Sequence, residues 1–180
     1  MKKVLIFLII TLISLLSGSF VSPKNEKPTI QWLTFEEAVA KSKEKPKKML
    51  IDIYTDWCGW CKKMDKDTYE NPIIAQYINE NYYAVKFNAE QRESVTFDNH
   101  TFKFIQQGNR GYHELAASLL QGQMSYPSTV FLDEQFRLIQ PLPGYYTPKD
   151  FDPILKYFIE GMSKNISFED YKKTSYRSPF

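Results

Sequence analysis

The chain has 180 residues, 43% hydrophobic and 16% aromatic, with only seven glycines, which excludes a disordered chain and allows one domain plus appendages. Its formal charge of +2 comes from Lys2 and Lys3 alone, and without the first 19 residues acids and bases balance. That balance leaves no electrostatic footprint for nucleic acid or an anionic membrane surface, so no nucleic-acid partner is expected.

Met1-Lys2-Lys3, the apolar run Val4 to Leu16 and the small residues Ser17-Gly18-Ser19 have the build of a secretory leader, residues 1–19. The alternative is an uncleaved N-terminal membrane anchor, because the run extended to Val21 approaches spanning length. Export would place the protein in the periplasm or otherwise outside the cytoplasm, where disulfides persist. Residues 20–33 read as a linker and lead-in, 34–162 as the folded domain and 163–180 as a polar, loosely held tail.

Thr34-x-x-Glu37 is a capping box for a helix running towards Lys45, and Pro46 ends it. Met49 to Tyr54 reads as a buried strand, interrupted only by Asp52. Cys58 to about Thr68 reads as a helix, which puts Cys58 at a helix N-terminus and Cys61 one turn later on the same face. Unpaired N–H groups and the helix dipole favour a thiolate there, and the thiolate attacks disulfides. Cys58 is therefore the candidate attacking sulfur, partly exposed and with a lowered pKa. Cys61 is the candidate resolving thiol, more buried. The pair needs no cofactor beyond its own disulfide. Two cysteines are too few for a structural disulfide framework, and a closed zinc site would need two further ligands where the only histidines are His100 and His113. No zinc or other metal site is therefore assigned. A soft-metal reading stays open, with Cys58, Cys61 and Met64 holding Cu(I). So does a non-catalytic binding module.

An acid inside an apolar strand is costly unless it is paired, protonated or functional. Burial would raise the pKa of Asp52 and make it a plausible acceptor for the proton of Cys61; a purely structural hydrogen-bonding role is the alternative. Asn71-Pro72 opens a second helix, and Tyr82 to Asn88 alternates as a second core strand. Residues 93–111 read as an insertion: a β-hairpin over Glu93 to Ile105 turning at Asp98-Asn99, then a breaker at Gly108 to Gly111. Added segments on a rigid scaffold often carry recognition.

Tyr112 to Leu120 reads as a helix, on which His113 and Glu114 diverge and are expected at the surface. His100 is expected to be exposed near the hairpin tip, and neither histidine is given a role. Ser128 to Asp133 and Arg137 to Gln140 form a strand–turn–strand unit. Thr147 then caps a closing helix carrying Phe151, Ile154, Leu155, Phe158 and Ile159. The whole is an α/β fold: a central mixed β-sheet flanked by helices on both faces, with a β-hairpin insertion.

Over about Thr34 to Met162 this sequence resembles the thioredoxin superfamily. Trp57-Cys58-Gly59-Trp60-Cys61 looks like the family's active site, Asp52 like its buried acid and Lys86 like the lysine beside that acid. Tyr126-Pro127 resembles the loop whose proline is cis and faces the two sulfurs. Asp56 to Thr68, followed by Asn71 to Ile78, is most similar to exported thioredoxin-like proteins and to the C-terminal reductase domain of DsbD-type carriers. Trp60 departs from the typical proline. The resemblance implies a thioredoxin fold and thiol–disulfide exchange with protein thiols and disulfides as substrates. It also implies a membrane or exported electron donor, and reduction as the working direction with oxidation or isomerisation as alternatives. By the same resemblance Lys86 tunes Asp52, and Trp57, Gly59, Trp60, Tyr126 and Pro127 meet the substrate.

Overall fold

The computed structural model describes residues 27–180. The leader expected at 1–19 and residues 20–26 of the expected linker lie outside the described residues. Thr34 is the N-cap of helix α1 (Phe35–Glu44), and the capping box forms in both directions: its hydroxyl accepts from Glu37 N–H while the Glu37 carboxylate accepts from Thr34 N–H. Strand β1 (Lys48–Tyr54) follows, then α2 (Gly59–Met64), whose last turns widen into a π-helical stretch, Asp65–Tyr69. Asn71 caps α3 (Pro72–Asn81), with Pro72 in the first turn where no N–H is needed, and β2 (Tyr82–Asn88) succeeds it without a loop.

Four strands form the central sheet in the order β2-β1-β7-β8, where β7 is Ser128–Leu132 and β8 is Leu138–Pro143. β1 runs parallel to β2 and antiparallel to β7, and β7 runs antiparallel to β8, so the sheet is mixed as expected. β8 is longer than the four residues read from sequence. It sits at an edge of the sheet, where Pro141 and Pro143 can lack an N–H without breaking an inner ladder.

Side chains alternate across β1 and separate two cores. Met49, Ile51 and Ile53 face a core built with Phe35, Ala38 and Val39 of α1 and with Leu115, Ala116 and Leu119 of α4 (Glu114–Leu119). Leu50 faces the other, with Met64 of α2, Ile74 and Ile78 of α3, and Phe151 and Leu155 of α5 (Pro148–Lys156). Asp52 shares the face of Leu50, which aims it at the layer that carries α2.

The segment expected to be an insertion holds two hairpins rather than one. The first pairs β3 (Val95–Phe97) with β4 (His100–Phe102) across Asp98-Asn99, both at positive φ. The second pairs β5 (Phe104–Gln107) with β6 (Arg110–His113), so the Gly108 to Gly111 breaker is a hairpin turn and its exit strand.

His113 corrects the sequence reading. It is not on a helix surface but fully buried, the last residue of β6 and the N-cap of α4. His100 is exposed, as expected. The polar tail also differs from expectation. After α5 come a π-helical stretch (Tyr157–Gly161), a 3₁₀ turn (Met162–Lys164) and a further helix α6 (Phe168–Thr174), whose Tyr171 is completely buried. Among the described residues no helix is long and apolar enough to cross a membrane.

Candidate active site

The carboxyl end of β1 leads through Thr55 and Asp56 to Cys58, which is the N-cap of α2. Cys58 and Cys61 are joined as a disulfide across this first turn. The Cys61 N–H donates to Cys58 Sγ at 3.0 Å, and the Cys58 N–H donates to the Thr55 carbonyl at 3.1 Å. Cys58 was expected to be partly exposed and Cys61 more buried, yet in this disulfide form both are buried, at 4% and 3% exposure. The sulfur of Cys58 is turned in against its own helix start by the bond to Cys61. The exposed part of the site is aromatic: Trp57 and Trp60 stand 57% and 59% exposed. Gly59 between them has open space around its Cα.

Asp52 is 1% exposed and stands beside Lys86 in register across β1 and β2. Its Oδ2 lies 2.7 Å from the Lys86 ammonium, while its Oδ1 has no hydrogen-bond partner. Burial pushes the Asp52 carboxyl up to about 6, against the opposing pull of Lys86. Lys86 also pairs with Asp65, and its ammonium lies 5.1 Å from the ring centres of Trp32 and Tyr54 and 5.5 Å from that of Tyr69. Burial alone would pull the lysine pKa down; Asp52 and then Asp65 reverse this and raise it. One ammonium thus serves two carboxylates inside an aromatic cage. Tyr69 closes the site from behind through a 2.9 Å hydrogen bond with Thr129, the strand neighbour of Asp52.

The Tyr126–Pro127 peptide bond is cis. Tyr126 meets Trp57 edge to face at 5.9 Å, so the loop before β7 and the start of α2 share one surface. Trp60 leans on Tyr145 at 5.5 Å on the other side. Met64, a possible third soft ligand, is fully buried in the core. Among the described residues no three His, Cys, Asp or Glu side chains are grouped to hold a metal.

The structure adds residues the sequence did not single out. Asp65 is one, although its position four after Cys61 puts it on the same helix face and was a usable signal. Glu90 is another, accepting from the Trp57 indole N–H at 3.1 Å through both oxygens. Arg110 reaches over the Trp57 ring from the second hairpin. No local pattern announces contacts between loops so far apart in sequence.

The Thioredoxin-like domain family matches this sequence over residues 35–159. The chain belongs to that family. A Cys-x-x-Cys disulfide at a helix start on a thioredoxin-like fold is the arrangement of a thiol–disulfide oxidoreductase.

An uncharacterized protein of Caenorhabditis elegans is 29% identical over 124 residues, 67% of this chain but 15% of that protein. The thiol:disulfide interchange protein DsbD of Citrobacter koseri is 34% identical over 56 residues, 31% of this chain and 10% of that protein. This thioredoxin-like chain thus spans only a small part of the length of the curated relatives it matches. The solved structure of a DsbH oxidoreductase superposes with a TM-score of 0.53 at 19% identity, covering 78% of this chain and 92% of that one, a likeness of fold.

Proposed function

We propose that this thioredoxin-like protein is an exported thiol–disulfide oxidoreductase that reduces disulfides of extracytoplasmic proteins. The observation that carries the reading is the Cys58–Cys61 pair at the α2 start, with a backbone N–H already donating to Cys58 Sγ. The same donor stabilises a thiolate once the pair is reduced. The Cys58 thiolate attacks one sulfur of a substrate disulfide, the other sulfur leaves as a thiolate, and a mixed disulfide with Cys58 results. Cys61 gives its proton to the Asp52 carboxylate and attacks Cys58, which expels the second substrate sulfur. Two electrons have then passed to the substrate, and Cys58 and Cys61 are left as the disulfide. An exported or membrane dithiol must re-reduce them.

Asp52 is the base, and Lys86 is the positioning residue that holds it. Trp57, Gly59, Trp60, Tyr126 and cis Pro127 form the surface on which the substrate polypeptide lies. Export is supported by the basic start and apolar run at residues 1–19, and the domain proper is residues 34–162. The reductive direction is supported by the similarity of 56 residues of this chain to DsbD.

The test is equilibration of the Cys58–Cys61 couple with glutathione buffers, alongside single-turnover reduction of a protein disulfide. A potential of about −270 mV supports a reductant, while one of about −120 mV makes the protein an oxidant. Cys58→Ser should abolish exchange and Cys61→Ser should accumulate mixed disulfides. The absence of a reversible couple would overturn the reading in favour of a metal carrier or binding module.

A further inference from the structure

A groove of about 190 Å³ opens beside Trp57, between its indole and the second hairpin. Two arginines flank it. The Arg92 guanidinium lies 4.5 Å from the Phe104 ring centre, and that of Arg110 lies 5.5 Å from the Trp57 ring. A guanidinium stacked on a ring is held in place while its N–H groups stay free to donate in its plane. Among the described residues neither arginine forms an ion pair. The one acid lining the groove, Glu90, accepts from the Trp57 N–H, and two arginines against that single carboxylate leave the lining with a net positive charge.

The hairpin is shaped for this. Gly111 lies under the Phe104 ring, and a Cβ at that position would collide with the ring and with the Ile105 carbonyl. Without a side chain at 111, Phe104 can lie across the hairpin and carry Arg92. Trp57 precedes Cys58 directly and also touches Tyr126. A polypeptide presenting a disulfide to Cys58 therefore has its flanking residues within reach of the groove.

We infer that this groove is a specificity subsite for an acidic side chain of the substrate polypeptide, an aspartate or glutamate close to the reactive disulfide. The inference rests on the dithiol reading above and deepens it. The carboxylate accepts from the two free guanidinium forks while the disulfide meets Cys58, a pairing to which Arg geometry is suited.

Two peptides test it, identical except for glutamate or glutamine flanking a disulfide. Their reduction by the dithiol form of the full chain is measured, each rate divided by its rate with dithiothreitol to remove intrinsic reactivity. The glutamate peptide should be favoured about fivefold at low ionic strength, as two partly exposed charge pairs allow. The preference should shrink in ~0.5 M salt, where the screening length is a few ångströms. Arg92→Gln with Arg110→Gln should bring the ratio to about one, and Arg92→Glu with Arg110→Glu should turn it below one.

Equal rates for the two peptides with the unaltered protein, or a preference indifferent to salt, overturn the subsite and leave the dithiol reading standing. A preference that survives the double replacement does the same. Failure to reduce either peptide overturns both. The salt series uses no variant, so it decides even if an arginine replacement fails to fold.

Discussion

Asp52 is the residue at which stability and chemistry pull apart. Burial lifts its carboxyl from the ordinary 3.8 to about 6, so between those values the native state holds more protons than the unfolded chain. Stability from the protonated form is complete below pH 3.8, falls as pH rises through about 6, and stays lower beyond. The difference corresponds to about 3 kcal/mol at neutral pH. Asp52→Asn should therefore be more stable than the native protein by up to about that amount at pH 7.5, with the gap closing near pH 4. Urea melts at the two pH values would show it, and an equal gap at both would mean the carboxyl is not held ionised at a cost. The same variant should resolve mixed disulfides more slowly, by roughly a hundredfold near neutral pH. With Asp52 as the proposed base, the native rate should rise with its ionisation around pH 6, and the variant should lose that rise. Its unpartnered Oδ1 and its ion pair to a lysine shared with Asp65 are the structural basis for both effects.

At the scale of elements, His113 ties the hairpin segment to α4 and the central sheet. Its Nδ1 accepts from the Leu115 N–H at 3.2 Å, its Nε2 sits 3.1 Å from the Glu93 carbonyl, and its ring meets Phe87 at 5.2 Å. Both hydrogen bonds require a neutral ring with the proton on Nε2. A proton on Nδ1 would face the N–H it caps. Burial lowers the pKa of His113 below its usual 6.5, so its contribution is intact above that value and is lost as pH falls through the lowered native value. His113→Ala should cost about 2–4 kcal/mol at pH 7.5, from the lost cap and the cavity beside Phe87. His113→Asn should recover part of that cost and lose the acid-side decline. If alanine left the melting midpoint at pH 7.5 unchanged, the histidine would not be an anchor.

This residue also shows why part of the fold was not legible from the sequence. Tyr112 to Leu120 has helical periodicity throughout, and only hairpin pairing with Phe104 and Ile105 across the Gly108 turn draws its first two residues into a strand. The capping box at Thr34, the strand before Cys58 and the cap at Asn71 were legible because each is a local contest settled within a few residues. Glu90 and Arg110 reach Trp57, and Arg92 reaches Phe104 beside it, through tertiary geometry that no periodicity encodes.

Across the whole molecule, one chain of contacts runs from the C-terminus to the site. Tyr171 of α6 packs on Tyr157 at 5.7 Å and donates its hydroxyl to Glu160 at 2.9 Å. Gly161 leaves room for the rings of Tyr157 and Tyr171 to close over it. Tyr176 donates to the buried Asp152 at 2.8 Å, and Lys156 pairs with the same oxygen at 2.9 Å. These contacts fix α5, whose Phe151 meets Tyr69 edge to face at 5.9 Å, and Tyr69 in turn bonds Thr129 beside Asp52. The polar composition from Ser163 onward predicts a loose tail, because a seven-residue helix with a single buried side chain leaves little apolar periodicity in the sequence. Its energetic weight is concentrated in that one ring. Tyr171→Ala should lower stability by about 3–5 kcal/mol, the usual cost of emptying a buried aromatic site. Tyr171→Phe should lose only about 1 kcal/mol with the hydrogen bond to Glu160. Paired denaturation curves measure both. A tyrosine-to-alanine midpoint equal to that of the native chain would mean that α6 docks without stabilising the domain, and the path from the tail to Tyr69 would carry no energy.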